Sequence, residues 1–233
     1  MNTSQSEPGI KGVLVDFGNV VGHYRTEHFC MSIAKHINPR IEHPYIIAGF
    51  FYSDTWKLFE TGDLDIFRVF EDFQDEFNIG PNYKVDQFTR LVSKIFYIDE
   101  AMLAVLQALK RQDIKLILVT NNNELHMDEL TANHPNVLRL FDQQAVSSRL
   151  GYRKPDERMF THPIASLDLV PQECLLIDDG NSNIQAFRGL GGHAFHYDVT
   201  CPTTHGIQLD KVPAVRLNLL SELRRLGIQV SPQ

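Results

Sequence analysis

Polar side chains that could do chemistry stand at the ends of short apolar runs in this sequence. The first run ends at Asp16, the second at Thr120, and the fourth at Asp178 and Asp179. Taken singly, each has an ordinary role, because Asp caps helices and Thr is common in strands. The same placement at several run ends indicates one site built from distant parts of the chain.

The apolar runs predict a parallel sheet. Runs this short and rich in Val, Ile and Leu are typical of strands buried on both faces, and helical patterns separate them. The runs are residues 12–17, 114–120, 143–148, 173–179 and 192–197, and helices are expected near 99–111, 123–133, 156–167, 181–189 and 213–227. We therefore predict an α/β fold with a doubly wound parallel sheet, a Rossmann-like core.

Nearly a hundred residues between the first two runs have no comparable strand pattern. Their aromatic and aliphatic residues recur at helical spacing, as in Phe70, Phe73 and Phe77. Since the segment is too long for a loop, it predicts a small helical insertion whose aromatics mostly form its own core. In the C-terminal pattern, Leu217, Leu220 and Leu223 are expected to pack on the sheet.

In an open parallel sheet, ligands bind outside the carboxyl ends of the strands, so the three Asp side chains are expected to converge there. Two carboxylates about 4 Å apart repel by roughly 4 kcal/mol at an effective dielectric of 20. A hard divalent cation relieves this repulsion, and Mg²⁺ prefers oxygen ligands. The sequence therefore predicts a magnesium site.

Four ordered motifs resemble those of the haloacid dehalogenase-like (HAD) hydrolase superfamily. They are the Asp16 of VDFGNV, the Thr120 of LVTN, the Lys154 of RKPD, and the Asp pair of IDDGNSNI. The resemblance covers about residues 12–197 and is strongest to the sugar-phosphatase and epoxide-hydrolase-like phosphatase branch. It implies a core domain of residues 10–22 and 89–233, with residues 23–88 as a helical cap domain.

The resemblance also implies roles for individual residues. Asp16 would be the nucleophile that forms an aspartyl-phosphate with a small phosphorylated substrate. Mg²⁺ would be held by Asp16, the Gly18 carbonyl and Asp179, with Asp178 acting through water. Phosphoryl oxygens would be held by Thr120 and Asn121, and Lys154 would offset charge. Gly18, Asn19 and His23 are further candidates for substrate binding, and Asn183 could orient the carboxylates.

The motif departs from the family pattern at Gly18, where most of these phosphatases carry an acid–base Asp. The substrate could have a good leaving group, His23 or Tyr24 could replace the missing acid, or phosphatase activity could be weak. Two other functions stay open. One is a 2-haloacid dehalogenase in which Asp16 attacks carbon, and the other is a non-catalytic homologue that binds a phosphate ligand.

The bulk composition is that of an ordinary globular protein. The 233 residues carry a formal net charge of −7 and no basic cluster, so neither nucleic acid nor a membrane is expected as a partner. The polar N-terminus, three widely spaced cysteines and the lack of a long apolar run favour a cytoplasmic protein. The sequence leaves the oligomeric state open.

Overall fold

The computed structural model describes residues 9–37, 42–201 and 207–230. Its strands are β1 (Gly12–Val15), β2 (Gly22–Tyr24), β3 (Phe96–Ile98), β4 (Lys115–Thr120), β5 (Gln143–Val146), β6 (Cys174–Asp178) and β7 (His193–His196). Five of them form a parallel sheet in the order β5-β4-β1-β6-β7, while β2 and β3 pair antiparallel. The predicted α/β fold with a parallel sheet is confirmed.

Helices follow the strands of the sheet and form the insertion between β2 and β3. The inserted helices are α1 (Thr26–Ala34), α2 (Asp54–Glu60), α3 (Ile66–Phe77) and α4 (Val85–Ser93), with a 3₁₀ segment at Pro44–Tyr52. The others are α5 (Glu100–Lys110), α6 (Glu124–Asn133), α7 (Pro135–Leu138), α8 (Ser147–Leu150), α9 (Arg158–Ala165), α10 (Asn181–Gly189) and α11 (Val212–Arg225), with a 3₁₀ turn at Pro171–Glu173. The predicted boundary between residues 88 and 89 falls inside α4. In the described part of the chain, no helix is both long enough and apolar enough to pass through a membrane.

Both faces of the sheet are buried, which explains the nearly continuous apolar runs. Along β1, Val13 and Val15 belong to one core and Leu14 belongs to the other. The first core includes residues of α5, α6, α11 and the inserted helices, and the second includes residues of α9 and α10. Because side chains alternate along a strand, a run that packs helices on both sides must be apolar throughout.

The core of the insertion is aromatic. Phe73 is fully buried and its ring lies against Phe50 and Phe88, at centroid distances of 4.9 and 4.8 Å. The expectation that Leu217 is buried was wrong, because it is 62% exposed, and one aromatic residue of the insertion, Phe67, is 63% exposed. In α11 the buried positions include Leu219, Leu220 and Leu223. The buried face of α11 therefore includes Leu220 and Leu223, as predicted, but it includes Leu219 in place of Leu217.

The strand register determines which side chains meet at the carboxyl edge. Val15 pairs with Leu118 of β4 on one side and with Ile177 of β6 on the other. The next residue, Asp16, donates its backbone N–H to the Ile177 carbonyl at 2.9 Å. This places Asp16 level with Asp178, so the nucleophile candidate and the acidic pair reach the same edge.

Candidate active site

Three carboxylates meet at the carboxyl edge of the central strands. Asp16, Asp178 and Asp179 each offer one oxygen, and these oxygens all lie within 4.8 Å of one another. Asp178 is fully buried and Asp16 is 8% exposed. The convergence predicted from the ends of the apolar runs is therefore present.

Asp179 is held by residues from two different loops. Its Oδ2 accepts hydrogen bonds from Asn19 Nδ2 and from Thr200 Oγ1, both at 3.0 Å. Asn19 has a left-handed backbone with φ of 56°, which Asn tolerates better than most residues and which turns its amide toward Asp179. His196 Nε2 also lies 2.9 Å from the Asp179 carbonyl. These contacts fix the carboxylate before any ligand arrives.

Asp178 is oriented by the start of α10. Its Oδ1 accepts from the backbone N–H of Gly180 and from Asn183 Nδ2, each at 2.8 Å. A Cβ at Gly180 would lie 2.8 Å from that Asn183 amide nitrogen, so a side chain at position 180 would break the contact. Asn183 therefore makes the kind of contact to a carboxylate that was predicted for it, and its role in orienting that group stays a prediction.

A single lysine lies between two of the carboxylates. Lys154 Nζ is 2.9 Å from Asp16 Oδ1 and 2.6 Å from Asp178 Oδ2, and the lysine is 2% exposed. Asn121 holds the lysine backbone from both sides: its Oδ1 accepts from Lys154 N at 2.7 Å and its Nδ2 donates to Lys154 O at 3.1 Å. The side chain of Asn121 thus positions Lys154.

The electrostatics of the cluster are those of crowded negative charge. Burial raises the pKa of Asp16 to about 8; Lys154 opposes the rise, and Asp178 and Asp179 add to it. Burial, with repulsion from Asp178, also raises the pKa of Asp179. Although burial works against its charge, the neighbouring Asp16 and Asp178 raise the pKa of Lys154 above its usual range. One ammonium among three carboxylates leaves uncompensated negative charge.

This donor set fits Mg²⁺. The ion binds oxygen at about 2.0–2.1 Å, so two ligands on opposite sides of it are roughly 4 Å apart. The three carboxylate oxygens lie within 4.8 Å of one another, and a divalent cation would offset the excess charge. The described residues therefore supply both the ligand chemistry and the charge that magnesium requires.

A cavity of about 370 Å³ opens between the carboxylate cluster and the inserted helices. From the core it is lined by Asp16, Gly18, Asn19, Asn121, Lys154 and Asp179. The insertion contributes Phe51, Tyr52, Trp56, Lys57 and Glu60. This volume suits a small ligand, with the carboxylates and Lys154 on the core wall and aromatic rings beside Lys57 and Glu60 on the other.

Glu60 connects the insertion to the core beside this cavity. Its carboxylate forms an ion pair with Arg153 at 2.8 Å and accepts from Trp56 Nε1 at 3.1 Å. Ser147 of α8 donates its hydroxyl to the Glu60 carbonyl. Burial raises the pKa of Glu60 to about 7, and Arg153 opposes the rise. The wall of the cavity is therefore joined to the loop that carries Lys154.

Three predicted site residues, His23, Thr120 and Asp178, do not line the cavity. His23 is 2% exposed and its Nε2 lies 2.9 Å from Asp99 Oδ2. Successive strand residues point to opposite faces, so β2 directs His23 toward Asp99 and Tyr24 toward the cavity. Thr120 lies at the end of β4 and is 1% exposed, while the next residue, Asn121, reaches the cavity wall. His23 therefore lies away from the cavity, which Tyr24 faces instead, and this position differs from the one expected of a substrate-binding residue.

Sequence reasoning missed several residues that shape the site. Thr200 lies beyond the last strand and has no periodic or motif signal. Arg153 adjoins the Lys154 motif, but only the structure shows its partner, Glu60. Trp56 belongs to the aromatic pattern of the insertion, which does not reveal which rings face the cavity.

The family of the chain follows from comparison with known proteins. A sequence model of the haloacid dehalogenase-like hydrolase family matches residues 10–191, which are most of the chain. The chain therefore belongs to the haloacid dehalogenase-like hydrolase family, a class of enzymes, and this prediction is confirmed.

Individual relatives agree with this class. A sesquiterpene phosphatase, astK, from Aspergillus oryzae is 25% identical over 144 residues, which cover 62% of this chain and 72% of the relative, and it fits the predicted phosphatase branch. A HAD family enzyme from Bacteroides thetaiotaomicron, solved with magnesium and inorganic phosphate, has a TM-score of 0.65 at 20% identity, covering 81% of this chain and 94% of that one. An L-2-haloacid dehalogenase has a TM-score of 0.62, also at 20% identity, covering 85% of this chain and 87% of that one. At such identity the two structures show the shared fold alone.

Proposed function

We propose that the protein is a magnesium-dependent phosphohydrolase that acts on a small phosphorylated metabolite through an aspartyl-phosphate on Asp16. The observation that carries the proposal is the Asp16–Asp178–Asp179 cluster, in which Lys154 lies between Asp16 and Asp178. A phosphate monoester and three carboxylates repel one another unless cations are present. Lys154 supplies one positive charge, and bound Mg²⁺ would offset the charge on the phosphoryl oxygens.

Asp16 has an oxygen suited to attack. The Phe17 N–H donates to Oδ1 at 2.7 Å, and the Lys154 ammonium lies at the same oxygen. Within the described ranges no hydrogen bond is made to Oδ2. In the proposed reaction one carboxylate oxygen of Asp16 bonds to phosphorus in line, the bond to the leaving oxygen breaks, and water then cleaves the aspartyl-phosphate. Lys154 holds Asp16 and offsets charge in both steps.

The proposed metal ligands are Asp16, the Gly18 carbonyl and Asp179. Asp178 would reach the metal through a water molecule. The contact of Asp178 Oδ2 with Lys154 at 2.6 Å supports this indirect role, because that oxygen already binds the ammonium. Asn19 lines the cavity, but its amide donates to Asp179, which supports a role in holding the metal carboxylate. The backbone N–H of Asn121 remains the proposed contact to phosphate, together with the Thr120 hydroxyl.

The leaving group is proposed to carry a compact apolar or ring-shaped body. Phe51, Tyr52 and Trp56 line the wall opposite the carboxylates, and such rings favour flat apolar surfaces. Sugar rings and terpenoid skeletons both offer such surfaces, and the Aspergillus oryzae relative is a sesquiterpene phosphatase. A panel of sugar phosphates and isoprenoid monophosphates distinguishes the two classes.

The basic test is hydrolysis of para-nitrophenyl phosphate with and without Mg²⁺. We expect turnover to require the metal and to fall by about 10³-fold or more in Asp16→Asn, which keeps the shape but removes the nucleophile. Asp86→Asn, an exposed carboxylate on α4, is the matched control and should keep wild-type turnover. Metal-independent turnover, or an active Asp16→Asn enzyme, would refute the proposal.

The same preparations test the haloacid dehalogenase alternative. Dehalogenation needs Asp16 to attack carbon and has no need for a cation, whereas the acidic pair at 178 and 179 favours one. We expect no chloride release from 2-chloropropionate under conditions that support phosphate release. Chloride release without added metal would favour the dehalogenase.

A further inference from the structure

Tyr24 fills the space into which a side chain at position 18 would project. A Cβ built on Gly18 would lie 2.9 Å from Cε2 of the Tyr24 ring and 3.5 Å from its Oη. Real Cβ atoms essentially never approach another atom that closely. The obstructing atom belongs to the ring of Tyr24 on β2, which moves only as a unit, so a side chain at position 18 requires the whole ring to shift. Gly18 and Tyr24 are therefore a matched pair, in which the small residue makes room for the phenol.

The phenol faces the reacting groups. Tyr24 and Asp16 line the same cavity, and β2 turns Tyr24 to the side opposite His23. Its ring packs in a tilted arrangement on the buried His126, with centroids 6.0 Å apart. Throughout the described residues nothing hydrogen-bonds to Tyr24 Oη. A phenol carries its proton at neutral pH and can donate it in a hydrogen bond.

We propose that Tyr24 is the hydrogen-bond donor to the leaving-group oxygen, taking the place that Gly18 leaves open. The inference rests on the proposed phosphohydrolase function. As the phosphorus–oxygen bond breaks, the electron pair goes to the leaving oxygen, and the Tyr24 O–H stabilises the developing charge. The phenol keeps its proton, and water supplies the proton that completes the alcohol. Tyr24 therefore assists the first step and not the hydrolysis of the aspartyl-phosphate.

Tyr24→Phe removes the hydroxyl and keeps the ring. Hydrogen bonds to charged groups typically change equilibria by about 10- to 100-fold, and we expect kcat/KM for 2-phenylethyl phosphate to fall by that factor. For para-nitrophenyl phosphate, whose leaving group needs less stabilisation, the loss should stay within about threefold. Inhibition by inorganic phosphate should be unchanged. Tyr97→Phe, on the neighbouring strand β3, is the matched control and should behave as wild type on both substrates.

These measurements distinguish the role of Tyr24 from the phosphohydrolase function itself. An equal loss on both substrates, or no loss on either, overturns the role of Tyr24 while leaving the phosphohydrolase intact. A wild-type enzyme that shows no Mg²⁺-dependent hydrolysis of either ester overturns the proposed function on which that role rests.

Gly18→Asp tests the spatial pairing independently. The new Cβ meets the Tyr24 ring, so we expect the single variant to lose activity by about tenfold or more even though it adds an acid. The double variant Gly18→Asp, Tyr24→Ala removes the obstruction and should be more active than Gly18→Asp alone. If Gly18→Asp alone equals or exceeds the wild type, the matched pair is refuted.

Discussion

Replacing Lys154 with Met should destabilise the folded protein in the absence of metal. The ammonium lies 2.9 Å from Asp16 and 2.6 Å from Asp178, and all three side chains are buried. Each contact has a gross attraction of about 6 kcal/mol at an effective dielectric of 20. Most of that is offset by the desolvation of the charges, and removing one partner of a buried pair typically costs 3–5 kcal/mol. For a chain of this length that is a fall of roughly 6–20 °C in Tm.

Magnesium should reverse part of this loss. Lys154 and a cation bound by the same carboxylates repel each other, so its removal should strengthen metal binding. A ligand that binds only the folded state adds RT ln(1 + [L]/Kd) to the free energy of unfolding. The Mg²⁺-induced rise in Tm should therefore be larger in Lys154→Met than in the wild type.

Thermal unfolding with and without millimolar Mg²⁺ measures both effects. Lys115→Met is the matched control, because Lys115 is 51% exposed and lies 3.9 Å from the half-buried Asp142. We expect its stability to change by less than about 0.5 kcal/mol. If metal-free Lys154→Met were as stable as this control, or if Mg²⁺ raised both Tm values equally, the electrostatic reasoning would be wrong.

Three further outcomes follow from described contacts. Thr200→Val removes a hydrogen bond to Asp179 and should weaken Mg²⁺ binding by about 10- to 100-fold in a calorimetric titration; unchanged affinity would contradict this. Because burial raises the pKa of Glu60 to about 7, the folded state binds more protons than the unfolded state above pH 4.5, so stability should fall by up to about 3 kcal/mol as pH rises to 7. Urea unfolding of Glu60→Gln should lack this component, and identical pH profiles would refute it. Phe73→Ala should lower the free energy of unfolding by about 3–5 kcal/mol, whereas Phe67→Ala, at an exposed position, should change it by less than about 0.5 kcal/mol.

The sheet was predictable because its strands are buried on both faces. Continuous apolar runs such as 114–120 are a strong indication of buried strands. The family motifs identify Asp16 and the acidic pair at the run ends as site residues. The inserted helices were predictable as a class from their aromatic spacing. The direction in which each ring points was not predictable, because Phe67 and Phe73 both fit helical spacing and only Phe73 is buried.

The contacts that shape the site depend on folding at long range. Thr200 reaches Asp179 and Arg153 reaches Glu60 across loops whose paths no periodicity encodes. His23 and Tyr24 are adjacent in sequence, so both are equally plausible acids until the direction of β2 is known. The short antiparallel pairing of β2 with β3 decides between them.

Because β1 lies between β4 and β6, the carboxylate cluster can form only after both of these later strands have been synthesised. Asp16 is synthesised before its partners at 178 and 179, which lie about 160 residues later in the chain. A nascent chain that stops short of β6 contains the nucleophile without the groups that complete its surroundings. Tight magnesium uptake should thus appear late in biosynthesis, and it would report that the whole sheet, rather than any one segment, has assembled.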